Sequence, residues 1–206
     1  MRVSFSLSND DIESVSQSHV EAARQRQSLL AKPARSLGRL EDIACQIAGI
    51  QRTDTPRVDK KWVIVAAADH GVVDEGVSAF PQAVTAQMVA NFLNGGAAVS
   101  ALARQAGATV KIIDAGVANP IPGDTSDFVE LKLANGTQNF TFGPAMPRGH
   151  AVEILERGVE LSVKLSKEGA DLIAIGEMGI SNTTAASAIT AGMLDESPET
   201  VTGHGA

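Results

Sequence analysis

Hydrophobic residues near the start of the chain recur with the spacing of helices. From residue 9 to about 30 the apolar positions lie at helical intervals in a polar surround. This pattern predicts a surface helix with Asn9 or Asp10 at its N-cap. Between residues 37 and 50 apolar residues recur every three or four positions, which predicts an amphipathic helix capped by Ser36.

The pattern changes after the polar stretch 51–61, where continuous apolar runs replace helical spacing. Trp62–Ala68, Val110–Asp114 and Asp171–Gly176 are the three runs. Such runs are typical of parallel strands buried on both faces. Strands alternating with helical segments predict an α/β fold with a parallel, Rossmann-like sheet, helices on both faces, and a small helical part before it. The helical segments between the runs are Val84–Leu93, Gly96–Gln105 and Ala151–Glu168.

A hairpin is predicted between the second and third runs. Residues 129–133 and 138–142 are separated by a short segment that contains Asn135-Gly136. Asn-Gly favours a tight turn because both residues tolerate positive φ. We therefore expect a hairpin beside the main sheet.

Composition narrows the possible partners. The 206 residues contain 17 Lys plus Arg against 24 Asp plus Glu, a net charge of −7, and no tyrosine. An acidic chain poor in aromatic residues is a poor match for nucleic acid or anionic membranes. No targeting segment or membrane span is visible, and the one cysteine, Cys45, fits a buried thiol, so we expect a cytoplasmic protein.

The segment after the first apolar run carries titratable residues. Ligands collect at the carboxyl ends of parallel strands, and Asp69, His70, Asp74 and Glu75 follow such an end. These side chains could bind a metal or move protons. Alternatively, Asp69 and His70 hydrogen-bond the loop backbone while the other two face water.

Glycine-containing segments follow the other two runs. The residues 114–117 and 121–124 after the second run fit either a close backbone approach to a ligand or ordinary turns. Gly176–Thr184 leads directly into a helix-forming stretch, so its amides and hydroxyls could cradle a phosphate at a helix N-terminus. A well-capped helix is the alternative. Without a Walker lysine, the segment suits a mononucleotide or phosphomonoester.

Seven separated segments, in order, resemble the nicotinate-nucleotide:dimethylbenzimidazole phosphoribosyltransferases, which act in cobalamin nucleotide-loop assembly. The resemblance covers the chain from about residue 30 to its end, which corresponds to the N-terminal portion of the family. The segments are Lys32–Glu41, Ala68–Val72, Glu75–Ser78, Pro81 with Val84–Met88, Ile121–Gly123, Gly143–Met146 and Gly176–Thr184.

The resemblance implies transfer of phosphoribose from nicotinate mononucleotide to 5,6-dimethylbenzimidazole, giving α-ribazole phosphate and nicotinate. It implies no metal or redox cofactor. It also implies a homodimer whose subunits combine a large α/β domain with a small helical domain. In this chain, residues 1–57 would belong to the small domain, and residues 58–206 would form a nucleotide-binding domain truncated at its C-terminus.

The resemblance also assigns roles to individual residues. Glu177 would support the reaction by stabilising a positively charged ribose. The residues expected to hold the ribose and phosphate are Gly179, Ser181, Asn182, Thr183 and Thr184, and those expected to wall the base pocket are Phe80, Pro81, Gln87 and Met88.

The chain departs from the family pattern in three places. The family's general-base glutamate, in a Gly-Glu-Gly-type motif near its C-terminus, has no equivalent here. The phosphate-contacting lysine that follows the glycine loop is also missing. Arg35 stands where the family usually has glycine, which puts the local turn in doubt.

Three functional hypotheses remain open from the sequence. The first is the phosphoribosyltransferase, with doubtful activity in this chain alone. The second is a binding protein for nucleotide or base, inactive or completed by a second polypeptide. The third is a metal-dependent phosphohydrolase that uses the Asp69-His70 loop.

Overall fold

A computed structural model describes residues 13–121 and 126–205. The chain divides into two compact units, Met1–Asp59 and Lys60–Ala206. The described residues contain no helix long and apolar enough to cross a membrane.

The described part of the first unit is a pair of helices, α1 (Gln17–Leu29) and α2 (Arg39–Gln51). Their contact buries Val20, Ala23, Cys45 and Ala48, which confirms a buried thiol. Residues 13–16 are not helical, so the first helix is shorter than its sequence pattern predicts. The two predicted cap residues at positions 9 and 10 lie outside the described residues.

The start of α2 differs from the prediction. Gly38, not Ser36, precedes the helix, and its φ is +56°. Glu41 organises the turn by accepting hydrogen bonds from Lys32 Nζ at 2.7 Å and from the Leu37 amide at 3.2 Å. The Lys32 hydrogen bond holds the pKa of Glu41 below its ordinary value. Arg35 has φ +58°, a left-handed conformation that explains why glycine is favoured at this position.

Gly49 allows α1 and α2 to pack closely, and its replacement by alanine should loosen the pair. A Cβ at this position would lie 2.5 Å from Val20 Cγ2 and 2.7 Å from Val15 Cγ1. Overpacking of this kind typically costs about 1–3 kcal/mol, which exceeds the gain in helix propensity. We expect a lower free energy of unfolding for the helical pair, measured by helical circular dichroism in urea. Unchanged or increased stability would contradict this close packing.

The second unit is built on a parallel sheet. The described residues form four strands in the order β3-β2-β1-β4, and every neighbouring pair is parallel. The three apolar runs are therefore neighbours with their carboxyl ends on one side, as predicted. The elements in chain order are β1 (Lys61–Ala68), a 3₁₀ turn (Gly71–Glu75), α3 (Ala83–Leu93), α4 (Ala98–Ala106), β2 (Ala108–Gly116), β3 (Phe128–Glu130), α5 (Arg148–Lys167), β4 (Leu172–Met178), α6 (Asn182–Leu194) and α7 (Pro198–Val201).

Helices cover both faces of the sheet, which confirms the predicted architecture. On one face, Val65 and Ile112 pack with Val89 of α3 in the main apolar core. On the other face, α5 lies over β2 and β3, where Arg157 Nη1 donates to the carbonyl of Leu131 at 2.8 Å. The alternation of side chains along each strand sends successive residues to these two layers.

Burial of the third run on both faces was predicted wrongly. In the described residues β4 pairs with β1 alone and forms one edge of the sheet. Ile175 is 87% exposed and Leu172 is 41% exposed. The sequence of β4 is apolar enough for a central strand. In the described residues, however, no element covers its exposed side chains.

The predicted hairpin is also wrong. Residues 128–130 form β3, which pairs with β2 in parallel, and residues 138–142 are not a strand. Thr137 instead forms an isolated parallel bridge with His70. Gly136 does have positive φ, +88°, but this conformation lets its backbone approach Asp69, where a Cβ would lie 2.5 Å from the carbonyl oxygen. The Asn-Gly segment therefore closes a loop onto the sheet edge.

Candidate active site

The carboxyl ends of β1, β2 and β4 bring three acidic residues to the same edge of the sheet. In the register, Ala66 lies beside Glu177 and Ala67 lies beside Asp114. Asp69 follows the end of β1 directly. Positions that are far apart in the sequence therefore meet because parallel strands end at one edge.

Glu177 is held by two side chains. His70 Nε2 lies 3.1 Å from Glu177 Oε1, and Asn182 Nδ2 donates to Glu177 Oε2. The side chain of His70 is 12% exposed and that of Glu177 is 40% exposed. The carboxylate is thus fixed on both oxygens while one side remains open to solvent.

Gly179 makes this arrangement possible. A Cβ at this position would lie 2.2 Å from the Ala68 carbonyl oxygen, 2.8 Å from Glu177 Oε1 and 2.8 Å from His70 Cδ2. The Ala68 carbonyl on one side and the hydrogen-bonded His70 and Glu177 side chains on the other leave no room for a side chain. The glycine at this point of the loop is therefore required by close approach.

The other two carboxylates order the loops. Asp114 is buried and its Oδ1 accepts the amides of Gly116 at 2.9 Å and Val117 at 2.8 Å. Lys132 Nζ lies 3.4 Å from Asp114 Oδ2. Asp69 is buried too, and its Oδ2 accepts the amide of Ala118 at 2.7 Å. These bonds support the alternative in which Asp69 serves the loop backbone.

Buried polar atoms without partners concentrate at this edge. Among the described residues, four buried side-chain atoms lack a hydrogen-bond partner, and three of them are Asp69 Oδ1, His70 Nδ1 and Ser181 Oγ. The fourth, Gln27 Oε1, belongs to the helical unit. Because a buried polar oxygen is costly when it is left unpaired, Asp69 Oδ1 and Ser181 Oγ mark a place where a ligand or water is expected.

The glycine loop enters α6 through Ser181, whose φ of +74° is unusual for a residue with a side chain. Several of its amides already have protein acceptors. Ile180 donates to Thr85 Oγ1 at 3.1 Å, and Asn182 donates to the carbonyl of Gly179 at 3.0 Å. A bound phosphate would therefore rely on the remaining amides and on the hydroxyls of the loop.

An apolar cavity of about 230 Å³ adjoins the His70 and Glu177 side chains on the α5 face. Its wall is formed mainly by alanines and aliphatic side chains, with few polar atoms. Sequence reasoning did not identify most of these residues, because nothing in the local pattern links them. They are Ala66, Ala68, Ala115, Leu133, Ala134, Gly136, Thr137, Met146, His150 and Ile154.

The residues predicted to wall the base pocket do not line this cavity. Phe80 is 54% exposed, Pro81 and Gln87 are exposed, and Met88 is half-buried. Thr85, between them in sequence, is fully buried and contacts the glycine loop, so the start of α3 does lie beside that loop. Their predicted role in base binding stays a prediction.

The structure gives no support to a metal centre in the Asp69-His70 loop. No group of three or more potential ligands among His, Cys, Asp and Glu occurs in the described part of the chain. His70 pairs with Glu177, and Glu75 accepts hydrogen bonds from Asn139 at 2.6 Å and Thr141 at 3.1 Å. These side chains are engaged separately and do not converge.

Comparison with known proteins decides the family. The profile of a family described as phosphoribosyltransferase matches residues 12–206. The chain belongs to this family. The resemblance seen in seven sequence segments is thereby confirmed.

Individual relatives agree with that membership. The nicotinate-nucleotide–dimethylbenzimidazole phosphoribosyltransferase of Desulforamulus reducens is 51% identical over 94% of this chain and 55% of its own length. That of Chloroflexus aggregans is 52% identical over 89% of this chain and 52% of its own length. The crystal structure of the Thermus thermophilus protein of that name superposes with a TM-score of 0.84 at 46% identity, covering 91% of this chain and 57% of that one. The chain thus spans about half the length of these relatives.

Proposed function

We propose that this chain binds nicotinate mononucleotide at the carboxyl edge of its sheet, for phosphoribosyl transfer to 5,6-dimethylbenzimidazole. The products would be α-ribazole phosphate and nicotinate. The observation that carries the proposal is the carboxylate of Glu177, held on both oxygens and partly open beside the glycine loop. Relatives at about half identity act on these two compounds according to their names.

The fixed carboxylate suits the charge that develops during this reaction. When the bond between the ribose anomeric carbon and the nicotinate nitrogen breaks, nicotinate keeps the electron pair and the ribose becomes positively charged. A benzimidazole nitrogen then attacks the anomeric carbon, and the other ring nitrogen loses its proton. The positive charge moves from the pyridinium nitrogen of the nucleotide to the ribose, so a negative charge prepositioned beside the ribose stabilises the transition state more than the ground state.

Hydrogen bonding suits Glu177 for a charged role more than for proton removal. Both oxygens of the carboxylate already accept a hydrogen bond, one from His70 and one from Asn182, so neither is held ready for a proton of the base. Each oxygen retains lone-pair capacity that ribose hydroxyls could use. We therefore assign Glu177 to stabilisation of the ribose, and we assign no residue of this chain as the base.

The phosphate would lie against the start of α6, on the loop Gly179–Thr184. The helix dipole favours an anion there, and the buried Ser181 Oγ in the same loop has no hydrogen-bond partner in the described part of the chain. Asn182 orients Glu177, while Thr183 and Thr184 supply further hydroxyls. The base would pack near the start of α3, where Phe80, Pro81 and Met88 are the apolar candidates and Gln87 is a polar one.

The family resemblance also implies a homodimer and a cytoplasmic location. We include both properties in the proposal. Exposed apolar side chains on α6 are compatible with a further contact surface. Ile189 is 61% exposed and Met193 is 81% exposed.

Calorimetric titration with nicotinate mononucleotide tests the proposed site through Thr183→Val. Loss of a hydroxyl that binds phosphate should weaken the affinity about tenfold, since hydrogen bonds to charged groups contribute about 1.5–3 kcal/mol. The matched control is Thr190→Val on the same helix, because the Thr190 hydroxyl bonds the carbonyl of Ala186 instead. Undiminished affinity in Thr183→Val would place the phosphate elsewhere.

The same protein should be assayed for formation of α-ribazole phosphate. Binding together with turnover would support the transferase in full. Binding without turnover would favour the second hypothesis from the sequence, a protein that only binds the nucleotide.

A further inference from the structure

We propose that His70 is a positioning residue, which fixes the carboxylate of Glu177 as a neutral donor through its Nε2–H group. The role of Glu177 toward a ligand rests on the proposed function. The hydrogen bond itself does not.

The contact between His70 and Glu177 is enforced by the fold. The two residues are 107 positions apart in the sequence, and their side chains meet at 3.1 Å between Nε2 and Oε1. Gly179 borders both side chains, since a Cβ added to it would lie 2.8 Å from an atom of each. The ring and the carboxylate therefore occupy the space that a side chain at position 179 would need.

The other ring nitrogen determines which form of the imidazole fits. Within residues 13–121 and 126–205, no group hydrogen-bonds to the buried His70 Nδ1. A proton on Nδ1 would bury an N–H group without an acceptor, which is more costly than burying an unpaired lone pair on the neutral ring. The proton of a neutral imidazole would therefore reside on Nε2, where the Glu177 carboxylate accepts it.

The backbone on both sides of the ring is tied to a neighbouring loop. The amide of Thr137 donates to the carbonyl of Asp69 at 3.0 Å, and the amide of Gly71 donates to the carbonyl of Thr137 at 3.2 Å. His70 also pairs with Thr137 as an isolated parallel bridge. The ring thus projects from a segment that cannot shift without breaking contacts to the sheet edge.

These features together give His70 a specific task. Glu177 receives one neutral donor on each oxygen, from His70 and from Asn182, so its negative charge is oriented but not neutralised. A cationic partner such as lysine would reduce the net charge available to a developing positive ribose. Histidine in this tautomer holds the carboxylate without that loss.

Long-range ¹⁵N–¹H NMR of the four histidines in the 206-residue protein tests the proposal directly. We expect the neutral ring of His70 to carry its proton on Nε2. Glu177→Ala should shift the His70 signals, whereas Asn182→Ala should leave its tautomer unchanged. His19 and His150 serve as internal controls. The proposal would be overturned by an Nδ1–H form of His70 in the unmodified protein. Unchanged His70 signals in Glu177→Ala would also overturn it.

A binding measurement tests what the positioning does. His70→Leu should weaken nicotinate mononucleotide about tenfold, and His70→Gln, which retains a donor, should restore affinity to within about threefold. Equal affinity of the unmodified protein, His70→Leu and His70→Gln for nicotinate mononucleotide would refute the positioning role. If the unmodified protein does not bind the nucleotide, the proposed function fails, while the tautomer measurement still decides the role of His70.

Discussion

Replacement of Gly179 by alanine is expected to weaken nicotinate mononucleotide binding by at least about tenfold and to destabilise the α/β unit. The new Cβ would lie 2.2 Å from the Ala68 carbonyl oxygen, which is part of β1 and cannot move away cheaply. Either the loop or the Glu177 carboxylate must shift, and misplacement of about 1 Å at a reacting group can cost about 100-fold in rate. Overpacking adds about 1–3 kcal/mol of lost stability. Calorimetry with the nucleotide and urea unfolding measure the two effects separately.

A second glycine provides the matched control for this substitution. Gly192 lies within α6, and nothing is within 4 Å of the Cβ it would gain. Alanine there should leave nucleotide affinity unchanged and raise stability by about 0.5–1 kcal/mol through helix propensity. If Gly179→Ala binds the nucleotide as tightly as Gly192→Ala, the close approach at the glycine loop is not essential to the site.

Asp114→Ala is expected to cause the second large loss, about 2–5 kcal/mol in the free energy of unfolding. The side chain is buried and is the acceptor for the amides of Gly116 and Val117. Removing it leaves both amides buried without this acceptor, at about 1–3 kcal/mol each, and also takes a carboxylate partner from Lys132. Urea unfolding followed by circular dichroism gives the measurement.

Two further variants separate the causes of that loss. Asp114→Asn keeps an oxygen that can accept from both amides, so we expect it to recover about half of the lost stability, with the charge interaction accounting for the remainder. Asp74→Ala removes an exposed carboxylate after the neighbouring strand and should change stability by less than about 0.5 kcal/mol. Equal stability of Asp114→Ala and Asp74→Ala would show that the loop after β2 does not depend on this carboxylate.

The exposed edge of the sheet explains a limit of pattern reasoning. The sequence of β4 is that of a strand covered on both faces, yet Ile175 is 87% exposed in the described residues. A continuous apolar run indicates that a strand is suited to burial on both faces. It does not show whether the strand is buried in a given structure. The apolar sequence of β4 therefore did not predict its exposure in the described residues.

The sequence by itself determined the two N-terminal helices, the three apolar strands and the helices between them, but not β3. Continuous apolar runs specify buried strands, helical spacing specifies amphipathic helices, and their alternation requires parallel connections. These signals are local, because each depends on residues within one element and on the period of its backbone. The seven sequence segments also identified the family, and the family profile confirmed it.

Tertiary structure alone decided how the site is assembled. Asn-Gly permits positive φ in a hairpin turn as well as in a close approach. The second use prevails at Gly136 because the Asp69 carbonyl lies against it. The contact between His70 and Glu177 spans 107 positions and arises only because β1 and β4 are neighbours. Strand order and register set such pairings, and both depend on the packing of the whole sheet, so no local pattern in the chain encodes them.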